Sequence, residues 1–345
     1  MAGDSTLPKE RLEAYLAEKL SVPAVRVTRL TRVPGGASRE TWLIDAEWRD
    51  AAGEPRQAAY VLRRDPPASL LETDRGLEHA FYTAFAGSEV PVPPVLWLER
   101  DPSVLGAPFF VMERVAGEAS PRRLLAPPFV AHRELLGRRM YEILAAIHRF
   151  EWRGTAVESA CQAPRPEECW RVELEHWERV IDREELSPQP IVRAAIRWLR
   201  RNPPPPPERV TVVHGDFRVG NFLVTPEGDI TAVLDWEMAH LGDPLEDLAW
   251  SFNEAWEWAR DGRKGGLIER DEALRVYESA FGRRVDRAAL FWWEVFSSVK
   301  AQAIWLTAAR TFQSGGSREL VLAFTAYWLG NFQDEILLRT MGRGS

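Results

Sequence analysis

The segment richest in potential chemistry is His214-Gly215-Asp216-Phe217-Arg218-Val219-Gly220-Asn221, followed by Leu234-Asp235-Trp236-Glu237. Asp216 closes the apolar run RVTVVHGD, Asn221 comes five residues later, and Asp235 closes the next run, DITAVLDW. Two carboxylates and an amide thus converge at one mouth. That set suits phosphoryl transfer, which needs a carboxylate to orient and deprotonate an attacking hydroxyl and hard oxygens to hold magnesium on nucleotide phosphates. Singly, each residue reads as a turn former; the joint spacing is rare by chance.

The elements that must carry this island change character along the chain. Residues 9 to 20 place Leu12, Leu16 and Leu20 on one face of a short helix. From Val25 to Trp48 the pattern alternates, broken at Pro34-Gly35-Gly36, and QAAYVLRR at 57–64 predicts a third strand of a meander. Thr73 is placed to cap a helix reaching Phe85, and VPVPPVLWLE and APFFVMERV predict two further strands around a DPSVLG turn. After Gly117 the spacing becomes helical, over 129–149, 168–182 and 190–201. The five prolines 203–207 then lead into the two apolar runs of the island, which read as one hairpin-like unit around Pro226-Glu227-Gly228-Asp229. Helical patterns return from Leu245, including a long apolar stretch from Ala288 to Phe312.

Composition bounds the rest. The 345 residues carry 44 Lys and Arg against 51 Asp and Glu, a net charge of −7, the wrong sign for a protein that lives on phosphate backbones. Nucleic acid is excluded as a main partner, no apolar run reaches the roughly 20 residues of a membrane span, and the polar N-terminus predicts a cytoplasmic protein. Cys161 and Cys169, eight apart with no accompanying His pattern, match neither a disulfide framework nor a zinc site. Of 15 Trp, only Trp42, Trp48 and Trp97 precede residue 150, so two differently built lobes are expected.

HGD-x4-N with a strand-terminal Asp downstream resembles the aminoglycoside phosphotransferase and choline kinase-like family, over roughly residues 25 to 340. HGDFRVGN, LDWE and HLGDPLEDLAW are most similar to the kinase-like domain fused to some acyl-CoA dehydrogenases and its stand-alone bacterial relatives. The resemblance implies an α+β, bilobal protein-kinase-like fold. A small N-terminal lobe, residues 1–116, would hold a five-stranded antiparallel sheet with one helix, and a larger, mainly helical lobe, residues 117–345, the catalytic loop and acceptor site. It also implies ATP and Mg2+ as cofactors, Asp216 as catalytic base, Asn221 and Asp235 as magnesium ligands, and Arg218 as a charge steadying the transferring group. Gly35, Gly36 and Ser38 would let backbone approach phosphate oxygens. Where the family carries a Lys on the third strand this chain has Arg63-Arg64; Arg63 is favoured to face the cleft, held by Glu78. The hinge falls at Glu113 and Val115, whose main chain would bond adenine, with Phe110 and Met112 as apolar walls.

His214 reads as a brace for the loop and His148 as a helix C-terminal cap outside the site; Asp243 starts a helix, and Asp247 on its first turn is placed either to bond the catalytic-loop backbone or to serve as a plain helix-start acid. The expected activity is transfer of the γ-phosphoryl group of ATP to a hydroxyl of a small molecule. An aminoglycoside or macrolide antibiotic kinase is an alternative, and an aminoglycoside acceptor, being a polycation, predicts an acidic pocket; a hydroxyacyl or other apolar alcohol predicts an apolar pocket with a basic mouth, towards which the Trp-rich half leans. A nucleotide-binding pseudokinase would fit Arg63 but predicts loss of Asp216, Asn221 or Asp235, and all three are present. The oligomeric state is not readable from the sequence.

Overall fold

The computed structural model describes residues 7–33, 40–64, 75–315 and 320–342. Strands β1 (Val25–Val33), β2 (Glu40–Arg49) and β3 (Pro55–Arg64) form the meander, and β4 (Val95–Glu99) and β5 (Phe109–Glu113) complete an antiparallel sheet of order β1-β2-β3-β5-β4. Alternation in β2 sends Trp42, Ile44 and Ala46 to one face, where helix α1 (Lys9–Leu20) covers them with Leu12, Tyr15 and Leu16. This is the smaller of two main cores. Helix α2 (Arg75–Phe85) packs on the catalytic half instead: Phe81, Tyr82 and Phe85 are fully buried in the larger core, and the Phe85 ring lies 4.6 Å from that of Trp236. Thr73, the expected cap of α2, lies outside the described residues.

Two expectations need correction. The DPSVLG turn is a single helical turn, Pro102–Leu105, because Asp101 accepts the Ser103 N–H at 2.8 Å and Gly106 closes it with φ +89°. The island is not one hairpin. Strand β6 (Thr211–Val213) pairs with β9 (His240–Gly242), while β7 (Phe222–Val224) pairs with β8 (Ile230–Val233). The Pro226–Asp229 turn joins β7 to β8, so the run at 230–233 is already partnered and the loop 214–221 is left open between the two ribbons.

The helices that surround the island are α3 (Arg133–Arg149), α4 (Cys169–Glu184), α5 (Pro190–Arg201), α6 (Leu245–Phe252), α7 (Arg270–Phe281) and α8 (Arg287–Gln313). Helix α8 is apolar around most of its circumference, and accordingly it runs through the middle of this half, against α4, α5 and α6. The chain ends in helical segments Leu320–Phe324 and Gly330–Gly342 joined by a π turn at Thr325–Leu329. No helix among the described residues is long and apolar enough to cross a membrane.

Candidate active site

The loop after β6 is fixed from several sides. Gly215 has φ +81°, and a Cβ there would lie 2.3 Å from the Met238 carbonyl oxygen, so only glycine fits. The Asp216 N–H donates to His214 Nδ1 at 3.1 Å, and His214 Nε2 faces the Leu234 carbonyl at 2.9 Å. The imidazole is therefore the neutral Nε2–H tautomer, in keeping with burial pushing its pKa below the ordinary histidine value. The Asp216 carboxylate accepts from Trp250 Nε1 at 2.8 Å and Arg218 Nε at 2.9 Å on Oδ1, and from Asn221 Nδ2 at 2.6 Å on Oδ2. Asn221 Nδ2 also reaches the Asp216 carbonyl at 2.8 Å, which turns its own amide oxygen away from that carboxylate.

Asp235, just past β8, has the left-handed backbone of φ +69°, a conformation that costs a non-glycine residue about 1–2 kcal/mol. It is held there by two side chains from the small lobe. The Asp235 N–H donates to the Tyr82 hydroxyl at 3.0 Å, and Arg63 donates to its carboxylate at 2.6 Å. Burial works against the Asp235 charge, but the Arg63 guanidinium outweighs it and holds the carboxyl below the usual aspartate range. The same guanidinium lies 3.5 Å from the Glu78 carboxylate on α2. Arg64 points elsewhere, to Glu40 and the Leu105 carbonyl. The hard oxygens of Asn221 and Asp235 suit a divalent cation of the magnesium type.

Between the sheet and the island lies a cleft of about 350 Å³. Leu43, Val61 and Met112 wall it on the sheet side, and Leu223 and Leu234 on the other; Arg63, Asn221 and Asp235 meet at its inner end, and Glu113 and Val115 line its edge. The Glu113 and Arg114 N–H groups are taken by Pro94 and Ala59 carbonyls. Phe110 does not form a wall: it is fully buried behind the cleft against Tyr82 and His79. Gly35, Gly36 and Ser38 lie outside the described residues.

Beneath the loop, Asp247 accepts the N–H groups of His214 at 2.6 Å and Gly215 at 2.9 Å. His148, expected as a helix cap, is fully buried: its Nε2 meets Asp247 at 3.3 Å and its Nδ1 meets the Tyr277 hydroxyl at 2.7 Å. The 99 residues separating His148 from Asp247 left no local signal for this. Asp243 takes the Leu245 N–H at 2.9 Å and starts α6. Lys300 on α8 and the indole of Trp250 also touch the loop; Trp250 ends the HLGDPLEDLAW motif, whereas Lys300 was not singled out by spacing.

Family comparison decides what this geometry belongs to. The phosphotransferase enzyme family matches residues 29–289. The chain belongs to that family. Among curated relatives, mouse acyl-CoA dehydrogenase family member 10 is 32% identical over 71% of this chain, and chicken family member 11 is 33% identical over 56%. Human family member 11 is 30% identical over 77%. The chain spans only 22%, 25% and 34% of the lengths of these proteins, respectively. Among solved structures, a Ralstonia eutropha protein assigned as an aminoglycoside phosphotransferase superposes with a TM-score of 0.75 at 22% identity, covering 98% of this chain and 99% of its own. The aminoglycoside phosphotransferase APH(4)-Ia, solved with AMP-PNP and hygromycin B, gives 0.62 at 20% identity, covering 97% and 99%. The shared fold is the bilobal kinase-like one, a five-stranded antiparallel sheet on a largely helical half.

Proposed function

We propose that this member of the phosphotransferase family is an ATP- and magnesium-dependent kinase of a small-molecule hydroxyl, with an apolar alcohol such as a hydroxyacyl compound as its acceptor. In this reading residues 1–116 hold the nucleotide, with Arg63, kept by Glu78, reaching its phosphates and the Glu113–Val115 edge its base. The loop Gly35-Gly36-Ser38 is assigned to the phosphates on its sequence position alone. Asn221 and Asp235 hold magnesium, which neutralises phosphate charge when bound. Asp216 takes the proton of the acceptor hydroxyl, and Arg218 offsets charge on the transferring group.

The observation that carries the acceptor class is the wall beside Asp216. Trp250, Trp256 and Trp305 form a buried cluster there, and the Arg218 guanidinium lies 4.6 Å over the Trp256 ring. The acids flanking Trp256 are already matched, Glu254 with Arg339 at 2.8 Å and Glu257 with Lys264 at 2.5 Å. A polycationic drug would find few unmatched carboxylates on that wall; an apolar chain with an anionic group would find rings and a cation.

The test is a labelled-ATP transfer screen over hydroxyacyl thioesters, aminoglycosides, macrolides, choline-like amines and sugars, with Asp216→Ala as control. Label on a hydroxyacyl acceptor, lost in the control, is the expected result. Label on an aminoglycoside alone would overturn the acceptor class, and no MgATP binding would overturn the kinase reading.

A further inference from the structure

Lys300 is an ammonium in the middle of an almost wholly buried helix, 1% exposed, and an ordinary core position would carry an apolar residue there. Its Nζ donates to the Gly215 carbonyl at 2.6 Å and to Glu246 Oε1 at 2.8 Å, and it lies 5.1 Å from the centre of the Trp250 ring. The Gly215 carbonyl belongs to the peptide plane whose N–H is that of Asp216. That plane is thus gripped at both ends, by Lys300 on its oxygen and His214 Nδ1 on its N–H. Trp250, whose ring face Lys300 covers, is the residue whose indole N–H holds Asp216 Oδ1. One side chain therefore supports both the backbone and the carboxylate of Asp216.

The charge is compensated locally. Glu246 takes Lys300 on one oxygen and His240 Nε2 on the other at 3.1 Å, and Glu173 approaches His240 Nε2 at 3.6 Å. Two acids thus face two bases. Burying a matched ion network is a poor route to stability compared with apolar packing. Its return here is directional: an ammonium on a long stem reaches a carbonyl 85 residues away in sequence.

We infer that Lys300 is a positioning residue for phosphoryl transfer, fixing the Asp216 peptide plane through the Gly215 carbonyl and the Asp216 carboxylate through Trp250, with Glu246 and His240 balancing its charge. This rests on the kinase reading above. Because Lys300 is below the loop and apart from the nucleotide cleft, its loss should slow turnover without weakening MgATP.

The test uses the full chain and MgATP hydrolysis, with water as acceptor, so that no acceptor need be known. Lys300→Met keeps the volume and removes the donor. It should lower kcat at least about tenfold while the Kd for MgATP stays within about twofold, and Lys300→Arg, which keeps charge and donors, should recover kcat to within about threefold. A folded Lys300→Met protein with kcat within about twofold of the parent overturns the inference. So does a parallel loss of kcat and MgATP affinity, which marks a merely structural role. If Lys300→Met does not fold, Lys300→Gln is judged by the same criteria. A parent protein that neither binds nor hydrolyses MgATP would instead bring down the kinase reading, which separates the two failures.

Discussion

Replacing Asp247 should reveal how the loop is paid for in hydrogen bonds. Asp247 is wholly buried and accepts from the His214 N–H, the Gly215 N–H and the His148 imidazole. Asp247→Ala strands all three donors out of reach of water. At about 1–3 kcal/mol for each buried unsatisfied group, the loss should be on the order of 5 kcal/mol. Asp247→Asn keeps the shape and one acceptor oxygen but turns an NH2 towards one of the donors. It should lose about 2 kcal/mol, roughly a thirtyfold change in the unfolding constant. Urea unfolding followed by tryptophan fluorescence and far-UV circular dichroism gives both numbers, and MgATP turnover per folded molecule gives the functional cost. Burial works against the Asp247 charge, but the His148 and backbone hydrogen bonds outweigh it and depress its pKa. The native protein therefore gains stability above the ordinary aspartate pKa that is lost as pH falls through the lower folded value, and the Asn variant should lack that acid-side loss. Equal losses for Asn and Ala, or a loss below about 1 kcal/mol for Ala, would refute the account of Asp247 as the shared acceptor.

Three further outcomes are expected. Arg63→Met should weaken MgATP binding about tenfold, or about 1.4 kcal/mol, and Arg63→Lys much less, by isothermal titration; unchanged affinity in both would remove Arg63 from the nucleotide site. Asp235→Asn should cut turnover at least about a hundredfold while metal-free ATP affinity changes by less than about threefold, and equal losses would indicate a structural role. Burial opposes the His240 charge, but Glu173 and Glu246 outweigh burial and the nearby Lys300 and raise its pKa to about 10. Its contribution to stability is thus complete below about pH 6.5 and lost as pH climbs towards 10, a decline that chemical unfolding should find reduced in His240→Gln.

What could be read beforehand was what local spacing encodes. The meander, the long apolar helix α8 and the clustering of Asp216 with Asn221 follow from period and short-range order. Strand alternation allowed only one of Arg63 and Arg64 to face the cleft, and Arg63, the one favoured under the family resemblance, is the one bonded to Asp235. Apart from the bond of Asp247 to the 214–215 backbone, partnerships across the chain were not legible. The pairing of β6 with β9 rather than with the next apolar run depends on which edge the 214–221 loop leaves free. His148, Tyr82 and Lys300 reach the site over 99, 153 and 85 residues, and nothing in their neighbours distinguishes them from a cap, a core aromatic and a surface cation. Phe110 was misread because a strand residue facing the cleft side can still be sealed behind it by α2.

The placement of α2 bears on whether the small lobe is a module. Its Phe81, Tyr82 and Phe85 are core residues of the other half, ringed around Trp236, while Arg63 and Tyr82 hold Asp235 in a backbone state it would not choose alone. A fragment cut at the end of the sheet would expose three aromatic side chains and keep Glu78 but lose Asp235, the other partner of its buried arginine. The two lobes are therefore expected to unfold together, and an engineered fusion should carry both.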